Sequence, residues 1–142
     1  MHAALNGIRV RFGRVVAVDD VSIDIKPGNV LAVVGENGAG KSTLMNALFG
    51  LCQPEAGEIL VDGQVRRWAS PQDAIGAGLG MVHQHFMLQD HMTVLENIVL
   101  CSEPVRFFGI VDFKAARRKL EQGVFRHGIA LDLDARVGTL SV

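Results

Sequence analysis

An α/β fold with a phosphate-binding loop at its centre is what the sequence predicts, on three adjoining observations. Val30-Leu31-Ala32-Val33-Val34 is a short unbroken apolar run rich in valine, the composition of a strand buried on both faces of a parallel sheet. Gly35-Glu36-Asn37-Gly38-Ala39-Gly40-Lys41-Ser42-Thr43 follows it and fits G-x-x-x-x-G-K-[ST] without a mismatch. Leu44/Leu48 and Met45/Phe49 then recur four apart, as on one side of a helix, and Gly50 stands as its C′ residue. Strand, glycine-rich loop and helix in this order define the P-loop NTPase fold.

The chemistry of that loop calls for these residue types. Backbone N–H groups leading into a helix N-terminus point at an anion, and the helix dipole adds to the attraction. Gly35, Gly38 and Gly40 let the backbone approach phosphate closely and adopt positive φ where the loop requires it. Lys41 brings a positive charge to the β- and γ-phosphates, Ser42 a hydroxyl for Mg²⁺, and Thr43 a further hydroxyl contact. Glu36, Asn37 and Ala39 complete the loop whose backbone wraps the phosphates. The phosphates of a nucleotide and Mg²⁺ are therefore the expected ligands.

The totals agree with one folded domain. The chain has 142 residues, 49% hydrophobic and 20% charged, which is a globular and not a disordered composition. Fourteen Lys and Arg against fifteen Asp and Glu leave a net charge of −1, so no overall basic field would hold nucleic acid. Cys52 and Cys101 are far apart and form no C-x-x-C, and are read as reduced thiols. The first seven residues lack the charged and apolar regions of a signal peptide. No apolar run approaches the roughly 18 residues that cross a membrane, so a membrane role has to come through a partner.

Along the chain, Ile8–Phe12 alternates apolar and charged residues as a half-exposed strand does. Gly13-Arg14 turns, and Val15–Val18 with Val21–Ile25 continue as extended segments broken at Asp19-Asp20. Two antiparallel strands thus precede the loop. Phe12 and Val18 lie ahead of it and offer a flat surface for a purine, although on spacing alone Phe12 reads as strand core. After the helix, Gln53–Gly57 is a turn, Glu58–Val61 a strand and Asp62-Gly63 a turn. Ser70, Pro71 and Asp73 mark a helix start, with Ser70 as N-cap and the helix ending near Gly76. Leu79–His83 reads as a strand ending in Gln84. Thr93 and Glu96 form a second capping box, opening a helix to about Leu100. Glu103–Val111 reads as a loop that exposes Phe107 and Phe108. Asp112 caps a helix to about His127, with Ala116, Leu120 and Val124 on its inner face and Lys114, Arg117, Arg118, Lys119 and Arg126 on a solvated one. His83, His85 and His91 have no third ligand at a recognised spacing and are not read as a metal site.

The order of these motifs resembles the ATP-binding subunits of ABC transporters. The resemblance rests on Gly35–Leu44, Pro54–Ile59, Gly80-Met81-Val82-His83-Gln84 and Thr93–Asn97, and it runs over the whole chain. It is nearest to the simple-sugar and nucleoside importer type, whose ATPase polypeptide carries two tandem nucleotide-binding domains. What it implies is specific. Phe12 matches the aromatic position that stacks on adenine, Lys41 the Walker A lysine, and Ser42 the Mg²⁺ ligand. Gln84 matches the Q-loop glutamine, which reaches Mg²⁺ or the attacking water, and Gln84 and Lys41 are the expected catalytic residues. Residues 1–85 correspond to the β subdomain and P-loop core. Residues from Phe86 to 142 correspond to an incomplete helical subdomain that docks on the membrane-embedded subunits.

The expected partners are transmembrane permease subunits, a second ABC ATP-binding domain and, indirectly, a solute-binding protein, but not nucleic acid. The implied place is the cytoplasmic face of the inner or plasma membrane. Leu140-Ser141-Val142 matches the opening of the family's signature, while Walker B, the catalytic base and the switch histidine match nothing in the 142 residues. The resemblance therefore implies the beginning of a first nucleotide-binding domain, truncated before Walker B. Such a chain would bind nucleotide without hydrolysing it, and its sheet would leave apolar surface open to self-association. The rival readings are a P-loop kinase or GTPase and a non-catalytic nucleotide-binding fragment.

Overall fold

The structure is a computed structural model that describes residues 1–83, 87–100, 111–126 and 131–140. It divides into two compact units, Met1–Val82 and His83–Val142.

In the first unit, strand β1 (Ala3–Phe12) turns at Gly13-Arg14 into strand β2 (Val15–Ile25), with Phe12 opposite Val15 and Ala3 opposite Ile25. Strand β3 (Ala56–Val61) pairs antiparallel with the other edge of β1, and β4 (Gln64–Arg66) with β3, giving the order β2-β1-β3-β4. The break expected at Asp19-Asp20 is a bulge. The pairing steps from Ile8↔Val21 to Val10↔Val18, so β2 spends one residue more than β1 there, and Asp20 takes φ 51°. Strand β4 was not expected. Its signal is Asp62-Gly63, the two-residue turn with positive φ at both positions that suits a hairpin.

Helix α1 (Lys41–Leu48) lays Leu44 and Ala47 into the core formed with Leu5, Ile8, Val10, Val18, Ile59, Val61, Trp68 and Ala74. It stops as the sequence indicates: Gly50 is the C′ residue at φ 80°. The Leu51 N–H donates to Asn46 O at 2.8 Å and the Gly50 N–H to Ala47 O at 3.1 Å, which is a Schellman ending. Helix α2 (Pro71–Gly76) starts where predicted, with the Asp73 carboxylate accepting from the Ser70 and Ala69 N–H groups at 3.0 and 2.8 Å.

Two expected strands are corrected. Val30–Val34 is in no sheet, and Val30 and Val34 are 98% and 89% exposed. A strand buried on both faces exists only between neighbours. Every sheet strand among the described residues is antiparallel and belongs to the β2-β1-β3-β4 set, so this run has nothing to pair with. Leu79–His83 is likewise unpaired, the Leu79 N–H donating instead to Ala74 O at the end of α2.

In the second unit, α3 (Val94–Val99) opens with the predicted capping box. Thr93 Oγ1 accepts from the Glu96 N–H at 3.2 Å, and Glu96 Oε2 from the Thr93 N–H at 2.7 Å. Helix α4 (Phe113–Arg126) is capped by Asp112, whose Oδ1 accepts from the Ala115 N–H at 3.0 Å. Val94, Leu95, Val99, Ala116 and Leu133 form the core of this unit, with Leu120 packed on it. Gln84, His85, Phe86, Cys101, Phe107 and Phe108 lie outside the described residues.

Candidate nucleotide-binding site

The loop Gly35–Gly40 runs into the first turn of α1. It tightens at Glu36–Ala39, where the Ala39 N–H donates to Glu36 O at 3.2 Å. Gly38 and Gly40 hold φ of 83° and 87°, the left-handed region that glycine occupies without penalty, whereas Gly35 does not use that freedom. Gly40 has a second reason to lack a side chain. A Cβ there would stand 2.1 Å from Ala17 O and 3.2 Å from Val18 Cγ2, both on β2. The loop is thus seated directly on the strand that leads away from Phe12.

Lys41 is the first residue of α1. Its ammonium donates to Gly35 O at 2.8 Å and to Glu36 O at 2.7 Å, folding the side chain back over the loop it follows. These bonds occupy two of its three N–H donors. The first intrahelical bond of α1 runs from the Leu44 N–H to Gly40 O at 2.9 Å. The N–H groups of Lys41, Ser42 and Thr43 belong to the first turn and have no carbonyl below them, and Gly40 supplies no side-chain cap. An anion can take those N–H groups together with the positive end of the helix dipole.

Ser42 is exposed at the second helical position. Among the described residues no group of three or more His, Cys, Asp or Glu side chains could hold a metal ion. The Ser42 hydroxyl is a hard oxygen donor of the kind Mg²⁺ accepts. Mg²⁺ takes hard oxygens, keeps several waters and is commonly held by one or two protein ligands plus substrate phosphates.

Of the two residues expected against the base, Phe12 is 55% exposed at the end of β1. Val18 is 5% exposed and part of the core, and its Cγ2 lies 3.2 Å from where a Cβ on Gly40 would stand. Gln84 lies outside the described residues. Sequence reasoning passed over Trp68. Its indole Nε1 donates to Leu48 O, the last residue of α1, at 2.9 Å, and a contact across twenty positions leaves no local pattern to find.

The sequence matches the ABC transporter family over residues 18–142. The chain belongs to the ABC transporter family. Among its relatives are the guanosine import ATP-binding protein NupO of Bacillus subtilis, 48% identical over 95% of this chain, and the nucleoside import ATP-binding protein NupA of Lactococcus lactis, 46% identical over 93%. The ribose import ATP-binding protein RbsA of Corynebacterium glutamicum is 42% identical over 97%. The chain spans 26% of the length of each of these relatives.

The fold agrees with that of solved ABC ATP-binding cassettes. A nucleotide-free cassette from an ABC transporter superposes with a TM-score of 0.78 at 24% identity, over 99% of this chain and 60% of that one. A second ABC cassette, in its ADP conformation, gives 0.76 at 25% identity over 99% and 59%. The P-loop NTPase fold expected from the sequence is thereby established. ABC membership also sets aside the kinase and GTPase readings. Among the described residues no helix is long and apolar enough to cross a membrane.

Proposed function

We propose that the chain is part of the ATPase subunit of an ABC importer and binds Mg-ATP at Gly35–Thr43. The observation that carries the reading is the loop itself: a glycine-rich turn that delivers Lys41 and the N–H groups of Lys41, Ser42 and Thr43 to one helix N-terminus. In this reading the Lys41 ammonium leaves the Gly35 and Glu36 carbonyls for the β- and γ-phosphates, and Phe12 stacks on adenine, with Val18 supporting the loop. Mg²⁺, held by the Ser42 hydroxyl and by Gln84, would offset the negative charge of the phosphates.

The whole protein would hydrolyse ATP between two nucleotide-binding domains and pass the motion to transmembrane permease subunits. The solute, delivered by a solute-binding protein, would be a sugar or nucleoside. Relatives named for the import of guanosine, nucleosides and ribose support that class. The subunit would then sit peripherally at the cytoplasmic face of the inner or plasma membrane. Residues 1–85 would form the β subdomain and P-loop core and 86–142 the first part of the helical subdomain. Binding is the share of this activity assigned to the 142 residues.

Calorimetric titration with Mg-ATP tests the site. Saturable heat in the wild type that is lost in Lys41→Ala is expected, and equal heat in both would overturn the assignment. For the solute, hydrolysis by the assembled transporter should be stimulated by a nucleoside or a simple sugar. Stimulation only by an unrelated solute, such as an amino acid, would refute the class.

A further inference from the structure

Trp68 is the only tryptophan of the chain, is 6% exposed, and lies outside the phosphate loop. Its indole N–H satisfies Leu48 O, one of the carbonyls that the end of α1 leaves without an intrahelical partner. Two further contacts fix the tryptophan in that position. The Gln53 side-chain amide donates to Trp68 O at 2.5 Å. Gly50 presses against it so closely that a Cβ at position 50 would stand 2.9 Å from the Trp68 Cβ and 3.1 Å from Ser70 O.

Helix α1 has eight residues, about 12 Å of helix. Its first turn carries the phosphate-facing N–H groups and its last carbonyl is held by Trp68. On so short and rigid an element, freedom at one end becomes misdirection at the other. We infer that Trp68 is a positioning residue for the nucleotide site, clamping the far end of α1 so that the N–H groups of its first turn stay aimed at the phosphates. The inference rests on the nucleotide-binding reading above. If α1 samples a clamped and a tilted orientation and only the first accepts phosphate, the apparent affinity scales with the clamped fraction.

The test pairs a variant with a spectroscopic signal. Trp68→Phe keeps an aromatic ring in the core and removes the N–H donor. Its Mg-ATP affinity, measured by calorimetry well below its melting temperature, should fall about tenfold, equivalent to about 1.4 kcal/mol. A side chain that served stability alone would lower the melting temperature and leave that affinity unchanged. In the wild type, Trp68 emission should change as Mg-ATP is added, saturating at the calorimetric Kd, and should stay constant in Lys41→Ala. The emission titration needs no variant at position 68, so it stands even if Trp68→Phe fails to fold. Calorimetric binding with unchanged Trp68 emission would overturn the inference, as would unaltered affinity in Trp68→Phe. No binding heat in the wild type would overturn the nucleotide reading and this inference with it.

Discussion

Gly40 and Ala17 touch so closely that the loop and the second strand act as one piece: a Cβ on Gly40 would lie 2.1 Å from the Ala17 carbonyl oxygen. The contact is backbone to backbone, so neither side can move a flexible chain out of the way. Gly40 is also at φ 87°. Gly40→Ala therefore combines an unfavourable backbone conformation, about 1–3 kcal/mol, with an overlap that only displacement of the loop can relieve. We expect a loss of more than about 2 kcal/mol in urea unfolding and loss of Mg-ATP binding. A variant with wild-type unfolding midpoint and affinity would contradict this packing.

The stacking of adenine proposed for Phe12 can be tested apart from phosphate recognition. It is exposed at the end of β1 and makes no contribution to the buried core cluster, so Phe12→Ala should leave the melting temperature nearly unchanged. Stacking on a base is worth about 1–3 kcal/mol. The affinity for Mg-ATP should fall by a factor of about 5 to 150, while that for Mg-tripolyphosphate, which has no base, stays constant. Equal losses for both ligands would show that Phe12 supports the loop and not the adenine.

Protonation of Glu96 should weaken the second unit in acid. The Thr93 backbone N–H and then its hydroxyl, both donating to the carboxylate, hold the Glu96 pKa below the ordinary glutamate value. A carboxylate whose pKa is lower in the folded state contributes stability above its unfolded pKa, near 4.3, and loses it as the pH falls through the depressed folded value. Glu96→Gln should reduce the slope of stability against pH below about 4.5 and leave it unchanged near neutrality. An identical acid slope in both proteins would remove Glu96 from this role.

The parts of the fold that were legible in the sequence are those whose cause is local. The Thr93/Glu96 and Ser70/Asp73 starts and the Gly50 stop each depend on residues within a few positions, and each appears where the pattern places it. The β1–β2 hairpin was readable for the same reason. Val30–Val34 was not, because its valines specify a burial that neighbouring strands must supply, and none of the described strands lies beside it. Asp19-Asp20 misled in the opposite direction: the acidic pair reads as a break, but the ladder absorbs it as a bulge, with Asp20 at φ 51°, and β2 continues. At the site, the glycines and Lys41 follow from the chemistry of phosphate. The clamp from Trp68 to Leu48 depends on tertiary folding, so no spacing rule points to it.

The most direct test of the central claim is the thermal melt of the chain with and without excess Mg-ATP, beside Lys41→Ala. A ligand that binds only the folded state adds RT ln(1 + [L]/Kd), about 2.7 kcal/mol at a hundredfold excess over Kd. A clear upward shift in the wild type and none in Lys41→Ala is the predicted result. An unshifted wild type, or an equal shift in both proteins, would contradict the assignment of Gly35–Thr43 as the nucleotide site.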